Sequence, residues 1–144
     1  MTEIEQRARV VAIARSWIGT KYHHRGRIKG VGVDCAQLLV EVFAEAGLLE
    51  RFDTGDYPMD WAAHRDDERF LGFVERYGRQ VPAALPGDVL VFRYFRCYSH
   101  GAIAVDDSLM IHSYIGRGVE LVERSEFANR PCLTYSIIGG THGR

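Results

Sequence analysis

The stretch that decides the fold is His100-Gly101-Ala102-Ile103-Ala104-Val105-Asp106-Asp107-Ser108-Leu109-Met110-Ile111-His112. Two apolar runs flank a polar trio, the pattern of an antiparallel hairpin. If Asp106, Asp107 and Ser108 form the loop, Val105 pairs with Leu109 and Ala102 with His112. Side chains alternate along a strand, so His100, Ala102 and Ala104 share one face. His112 then lies on that same face, diagonal to His100 and within touching distance. A loop of even length would send His112 to the opposite face. The small side chains of Ala102 and Ala104 suggest room beside His100 for a packed helix, and the helix that begins with Cys35 is the candidate.

Working outward, the turn Leu85-Pro86-Gly87-Asp88 precedes a strand, Val89 to Phe92. Val119 to Val122 and Leu133 to Ile138 bring the expected antiparallel sheet to about five strands. Upstream the periodicity is helical. Thr2 and Glu5 form a capping-box signature before a helix over residues 3–17, with Ile4, Ala8, Val11, Ala14 and Ile18 at helical spacing and Gly19 as its stop. Thr20 to Val33 reads as a glycine-rich loop. Asp34 can cap a second helix, Cys35 to Ala46, whose apolar stripe is Leu38, Leu39, Val42, Phe43 and Ala46, with Gly47 after it. Leu48 to His64 is irregular and aromatic (Phe52, Tyr57, Trp61). A third helix runs from about Asp66 to Tyr77, with Phe70, Phe73, Val74 and Tyr77 inward. Helices first and strands later argue for an α+β fold rather than βαβ winding.

The chain has 144 residues, which sets the expectation of a single domain over 1–144. Its 18 basic and 19 acidic side chains are balanced, so charge points to neither nucleic acid nor a membrane surface as a partner. No segment approaches the roughly 20 consecutive apolar residues of a membrane helix. The polar start, MTEIEQRARV, lacks the basic and apolar blocks of a signal peptide, so synthesis in the cytoplasm is expected. Cys35, Cys97 and Cys132 are odd in number and show no short pairing motif, which argues against a disulfide scaffold.

Cys35 stands at a helix start, where the helix dipole and a nearby imidazole both favour the reactive thiolate. A free cysteine is also a common small buried hydrophobe, and that reading is taken for Cys97 and Cys132. His100 opens a strand, in Ser99-His100-Gly101-Ala102. His112 sits on a mostly apolar strand and needs a partner for a ring nitrogen. Orienting His100 would supply one, fixing its tautomer and turning its other nitrogen to the thiol. Cys, His and His are also good zinc ligands. However, no C-x-x-C or H-x-x-x-H pair occurs, and no metal or other cofactor is expected. Tyr22, before the glycine-rich loop, either packs at the end of the first helix or donates to a developing oxyanion. The spacing does not choose between the two. The basic run Lys21 to Lys29 reads first as a solvated loop.

The series Gly19-Thr20-Lys21-Tyr22, Asp34-Cys35, Pro86 to Phe92, Ser99 to Ile103 and Met110 to Ser113 resembles the NlpC-type papain-like cysteine peptidases, over about Ile13 to Ile138. Tyr22-His23-His24-Arg25-Gly26 is similar to the branch carried by tailed phages and gene transfer agents. The resemblance implies a papain-like α+β fold with Cys35 as nucleophile, His100 as base, His112 as the residue orienting it, and Tyr22 at the oxyanion site. It further implies cleavage of peptidoglycan stem peptides, between D-glutamate and a diamino acid, with phage-like tail proteins as partners. Two departures stand out. Ala36-Gln37 replaces the usual Ser-Gly after the cysteine, although the backbone N–H groups beside Asp34 and Ala36 remain. His23-His24-Arg25-Gly26 replaces Trp-Gly-Gly. Arg25 or Arg27 is a candidate to hold a stem-peptide carboxylate. Delivery inside a particle tail is expected, because no export signal or wall-binding repeat accompanies the domain. The rival readings are a silent tail assembly protein and an amidase or acyltransferase on the same fold.

Overall fold

A computed structural model describes residues 1–52 and 68–139. Helix α1 spans Glu3–Ser16. The Thr2 hydroxyl accepts from Glu5 N at 3.1 Å, and Glu5 returns a bond to Thr2 N. This is the reciprocal cap expected from the sequence. The face α1 buries differs from the expected one: Val10, Ala14 and Trp17 are inside, whereas Ile4 is 81% exposed. The reason is Arg7, which lies on the Val10 face and is buried. It donates to Asp88 at 2.8 Å and to the Pro86 carbonyl at 3.0 Å. A paired guanidinium can occupy a position that hydropathy alone assigns to an apolar side chain.

Two short strands, β1 (Arg27–Ile28) and β2 (Gly32–Val33), pair antiparallel where only a loop was expected. Helix α2 spans Cys35–Glu45 and buries Leu38, Leu39, Val42 and Phe43, the expected stripe. Gly47 follows with φ +78°, the left-handed conformation that ends a helix. Helix α3 spans Arg69–Tyr77 and buries Phe70 and Val74. Phe73 and Tyr77 are half-buried, packed against Phe52. The expected start at Asp66, and Tyr57 and Trp61, lie outside the described residues.

Among the described residues the sheet has six strands rather than five, in the order β3-β8-β4-β5-β6-β7: β3 Arg79–Gln80, β4 Val89–Tyr94, β5 Cys97–Ala104, β6 Leu109–Tyr114, β7 Gly118–Glu123 and β8 Cys132–Ser136. The added strand, β3, is two polar residues that carry no apolar alternation. Ile103 pairs with Ile111 and Ala104 with Met110, the register that the loop over Asp106 to Ser108 requires. A second hydrogen-bonded crossing fixes the far edge. Gly19 N donates to the Val119 carbonyl at 3.0 Å, and Val119 N donates to the Thr20 carbonyl at 2.8 Å.

The helices pack on the sheet face that carries Val89, Val91, Ile103 and Ile111. The Ala102 and Ala104 side chains lie on the other face, with Leu90, Phe92, Met110, Val122 and Phe127 of the short 3-10 helix Arg124–Phe127. The expectation that these alanines make room for the cysteine helix is therefore corrected. Gly101 does so: a Cβ there would stand 2.5 Å from the Phe70 ring and 2.9 Å from Leu39.

Candidate active site

The helix carrying Cys35 begins at a cap built from one buried carboxylate. Asp34 accepts from Gln37 N (2.9 Å) through Oδ1 and from Arg25 N (2.7 Å) through Oδ2. Satisfying the Gln37 N–H leaves those of Cys35 and Ala36, at the positive end of α2, to face the sulfur. Arg25 accommodates this bond at φ +62°, and its backbone thereby fixes the loop against the helix.

The strand beside Cys35 is irregular. Along β4 and β5, Phe92 pairs with His100 but Arg93 pairs with Tyr98, so Ser99 has no opposite residue. Such a bulge breaks the ladder and turns the chain locally. The Ser99 carbonyl lies 3.7 Å from the Cys35 sulfur, which donates to it. On the other side of His100, the Gly101 N–H lies near enough to the sulfur to draw its pKa down. Backbone groups on both flanks of His100 thus bracket the thiol.

The two histidines meet. His100 Nε2 and His112 Nδ1 are 2.8 Å apart, and His112 is wholly buried. The chain of contacts then continues to a residue the sequence reading passed over: His112 Nε2 lies 2.8 Å from Glu120 Oε2. The same oxygen accepts from Arg117 at 2.5 Å. Tyr94, Tyr114 and Phe127 wall the rings, with Tyr94 and Tyr114 edge-on to His100 at 5.5 and 5.3 Å between centroids. Arg130 lies 3.5 Å over the Tyr94 ring.

Electrostatics follow from this enclosure. Burial, then the negative charge of Asp34, pushes the Cys35 thiol up to about 12, against smaller opposing bonds from backbone N–H groups. Burial, with the neighbouring His112 and Arg130, holds His100 down at about 3. Burial also lowers His112, outweighing its bond to Glu120. Desolvation pushes the Glu120 carboxyl up, but its bonds from Arg117 and His112 prevail and the net shift is downward. Tyr22 is raised above its ordinary value by burial, then by the charges of Cys35 and Asp34. Its backbone is held by a bridge to Val33. Of the expected site residues, Cys35, Asp34, Ala36, Tyr22, His100 and His112 gather here. Arg25 joins through its backbone, with its side chain exposed, and Arg27 is exposed on β1 opposite Val33. Among the described residues, no group of three or more His, Cys, Asp or Glu side chains is arranged to hold a metal.

A mixed α+β core with a cysteine at a helix N-terminus, packed against an antiparallel sheet that carries a histidine pair, has the papain-like architecture. The chain belongs to the NlpC/P60 family, whose model matches residues 19–134. Members of this family are cysteine peptidases acting on peptidoglycan. The fold is similar to the NlpC/p60 domain of the peptidoglycan hydrolase SagA (TM-score 0.59, 23% identity, covering 88% of this chain and 96% of that one). It is similar also to the peptidoglycan hydrolase RipB of Mycobacterium tuberculosis (0.62, 22%, 94% and 66%). A third similar structure is NlpC1 of Trichomonas vaginalis (0.66, 18%, 92%), of which this chain spans 43%. No curated protein matches the chain.

Proposed function

We propose that this chain is a cysteine peptidase that hydrolyses peptidoglycan stem peptides at the bond between D-glutamate and the diamino acid. We place it in the tail of a phage or gene-transfer-agent particle, where it opens the wall locally. The chemistry rests on one observation: backbone on both flanks of His100 brackets the Cys35 sulfur, while the ring itself is tied back through His112. The tail placement rests on the Tyr22 to Gly26 segment and its resemblance to that branch.

Both reacting groups are neutral at rest, so proton transfer and attack belong to one step. Cys35 gives its proton to His100 Nδ1 as the sulfur bonds the amide carbon. The N–H groups at the start of α2 receive the oxyanion, with the protonated Tyr22 phenol as a further donor. The C–N bond breaks, His100 protonates the leaving amine, and a thioester remains. Water then attacks, passing a proton to His100, and the sulfur leaves and recovers its proton. Arg25 or Arg27 holds a stem carboxylate.

The test compares wild type and Cys35→Ala on purified sacculi, with products analysed by mass spectrometry. Wild type is expected to release fragments cut within the stem and Cys35→Ala none, at an unchanged melting midpoint. Retained lysis in the variant refutes the mechanism. Cuts next to the sugar assign an amidase instead. Inactive wild type whose Cys35 resists alkylation assigns a silent assembly protein. Absence of the chain from purified particles refutes the tail placement.

A further inference from the structure

Beyond the pair of histidines lies a carboxylate. It stands on β7 directly across the ladder from His112, since His112 and Glu120 are register partners. A carboxylate has no proton to give at neutral pH, so it accepts. That fixes the direction of every bond behind it. His112 must carry its proton on Nε2 to donate to Glu120. Its Nδ1 is then a lone pair, which can only accept from His100 Nε2. His100 thus carries its own proton on Nε2, and its Nδ1 is left as the basic atom. Arg117 has donors only, and it bonds the same oxygen of Glu120 as His112 does. The atom at that position must therefore be an acceptor. Arg117 also reaches Glu126 at 3.5 Å.

We propose that Glu120 is a positioning residue that sets the tautomers of both imidazoles and thereby keeps the lone pair of His100 on Nδ1. The part concerning His100 as a base rests on the peptidase reading, whereas the tautomer assignment does not. Loss of the carboxylate frees His112 to turn its proton onto Nδ1. His100 would then accept at Nε2 and carry its proton on Nδ1, where it blocks uptake from the thiol.

The experiment uses the full chain labelled with ¹⁵N-histidine, read by long-range proton–nitrogen correlation at pH 7. His100→Asn and His112→Asn assign the signals. In wild type both rings are expected to be protonated at Nε2, and an Nδ1 proton on either ring overturns the proposal. In Glu120→Ala an Nδ1–H species appears on His112. There kcat on a stem-peptide substrate falls about 100-fold at unchanged KM, less than the ~10⁴-fold seen where a carboxylate bonds the base itself, because one ring intervenes. Unchanged kcat in Glu120→Ala overturns the proposal.

Glu120→Gln separates tautomer from charge. Arg117 demands an oxygen at the shared position, so the amide still accepts from His112. Both rings keep Nε2–H, and most of the lost rate returns. If Glu120→Gln keeps those tautomers but is as slow as Glu120→Ala, charge rather than tautomer is what matters, and the proposal fails. Glu120→Gln is nearly isosteric, so it decides the question even if Glu120→Ala does not fold. If wild type shows no peptidase activity, the base assignment falls with that reading, and the spectra alone decide the tautomers.

Discussion

Replacing Asp34 tests how one carboxylate serves both the helix and the thiol. Asp34→Ala removes the cap on Gln37 N, worth about 1 kcal/mol. It also removes a charge-assisted bond from Arg25 N at 2.7 Å, worth about 2 kcal/mol. Together the loss is about 3 kcal/mol. For a chain of this size that lowers the melting midpoint by about 6–12 °C. Asp34→Asn keeps an acceptor for Gln37 but turns an amide donor toward the Arg25 N–H, so it should lose about 2 kcal/mol. Reactivity moves the other way. After desolvation, the Asp34 charge is what holds the thiol up, so Asp34→Asn should react at lower pH than wild type. Urea titration gives the stability of each variant. The pH dependence of iodoacetamide labelling, read on the Cys35 peptide by mass spectrometry, gives the thiol and excludes the exposed Cys132. The reasoning is refuted if Asp34→Ala costs under about 1 kcal/mol. An Asp34→Asn thiol that labels with the wild-type pH profile refutes it equally.

Gly101→Ala should cost about 1–3 kcal/mol by overpacking, because the new methyl meets Phe70 and Leu39, both held in the core; a melting midpoint equal to wild type would contradict the packing described. Stability should also fall in acid. The native His100 stays neutral down to about pH 3, whereas the unfolded chain protonates this histidine from about pH 6.5. Its contribution is therefore complete above that pH and is lost as the pH falls toward 3, at up to about 1.4 kcal/mol per pH unit. His112 shifts in the same direction. Urea midpoints at pH 7, 6, 5 and 4 measure this, and a flat profile between 7 and 5 would count against the buried neutral pair.

Much of the site is legible from parity. The odd loop Asp106-Asp107-Ser108 places His100 and His112 on one face, and the structure gives that register. The same logic applies to Ile115-Gly116-Arg117: another odd loop sets His112 across from Glu120, so the carboxylate was within reach of the sequence. The bulge at Ser99 was not, because one unpaired residue leaves no trace in a short apolar alternation. Nor was the buried face of α1. Arg7 belongs to it only because Asp88 waits far along the chain, and such long-range pairing is invisible to helical periodicity. Gly101 rather than Ala102 and Ala104 receives the helices for a related reason. Alternation tells which residues share a side of a sheet, but not which side the helices will choose.

A sheet's outermost strand offers a row of unsatisfied amides and carbonyls to any passing chain, and proteins shield such rims in various ways. Here the protein uses its own segment. Residues 19 and 20 exchange two hydrogen bonds with Val119 on the edge strand β7, and Gly118, at φ +79°, has no side chain to hold them off. The tether that carries the backbone toward Tyr22 therefore doubles as a guard over the Gly118–Val119 end of that rim.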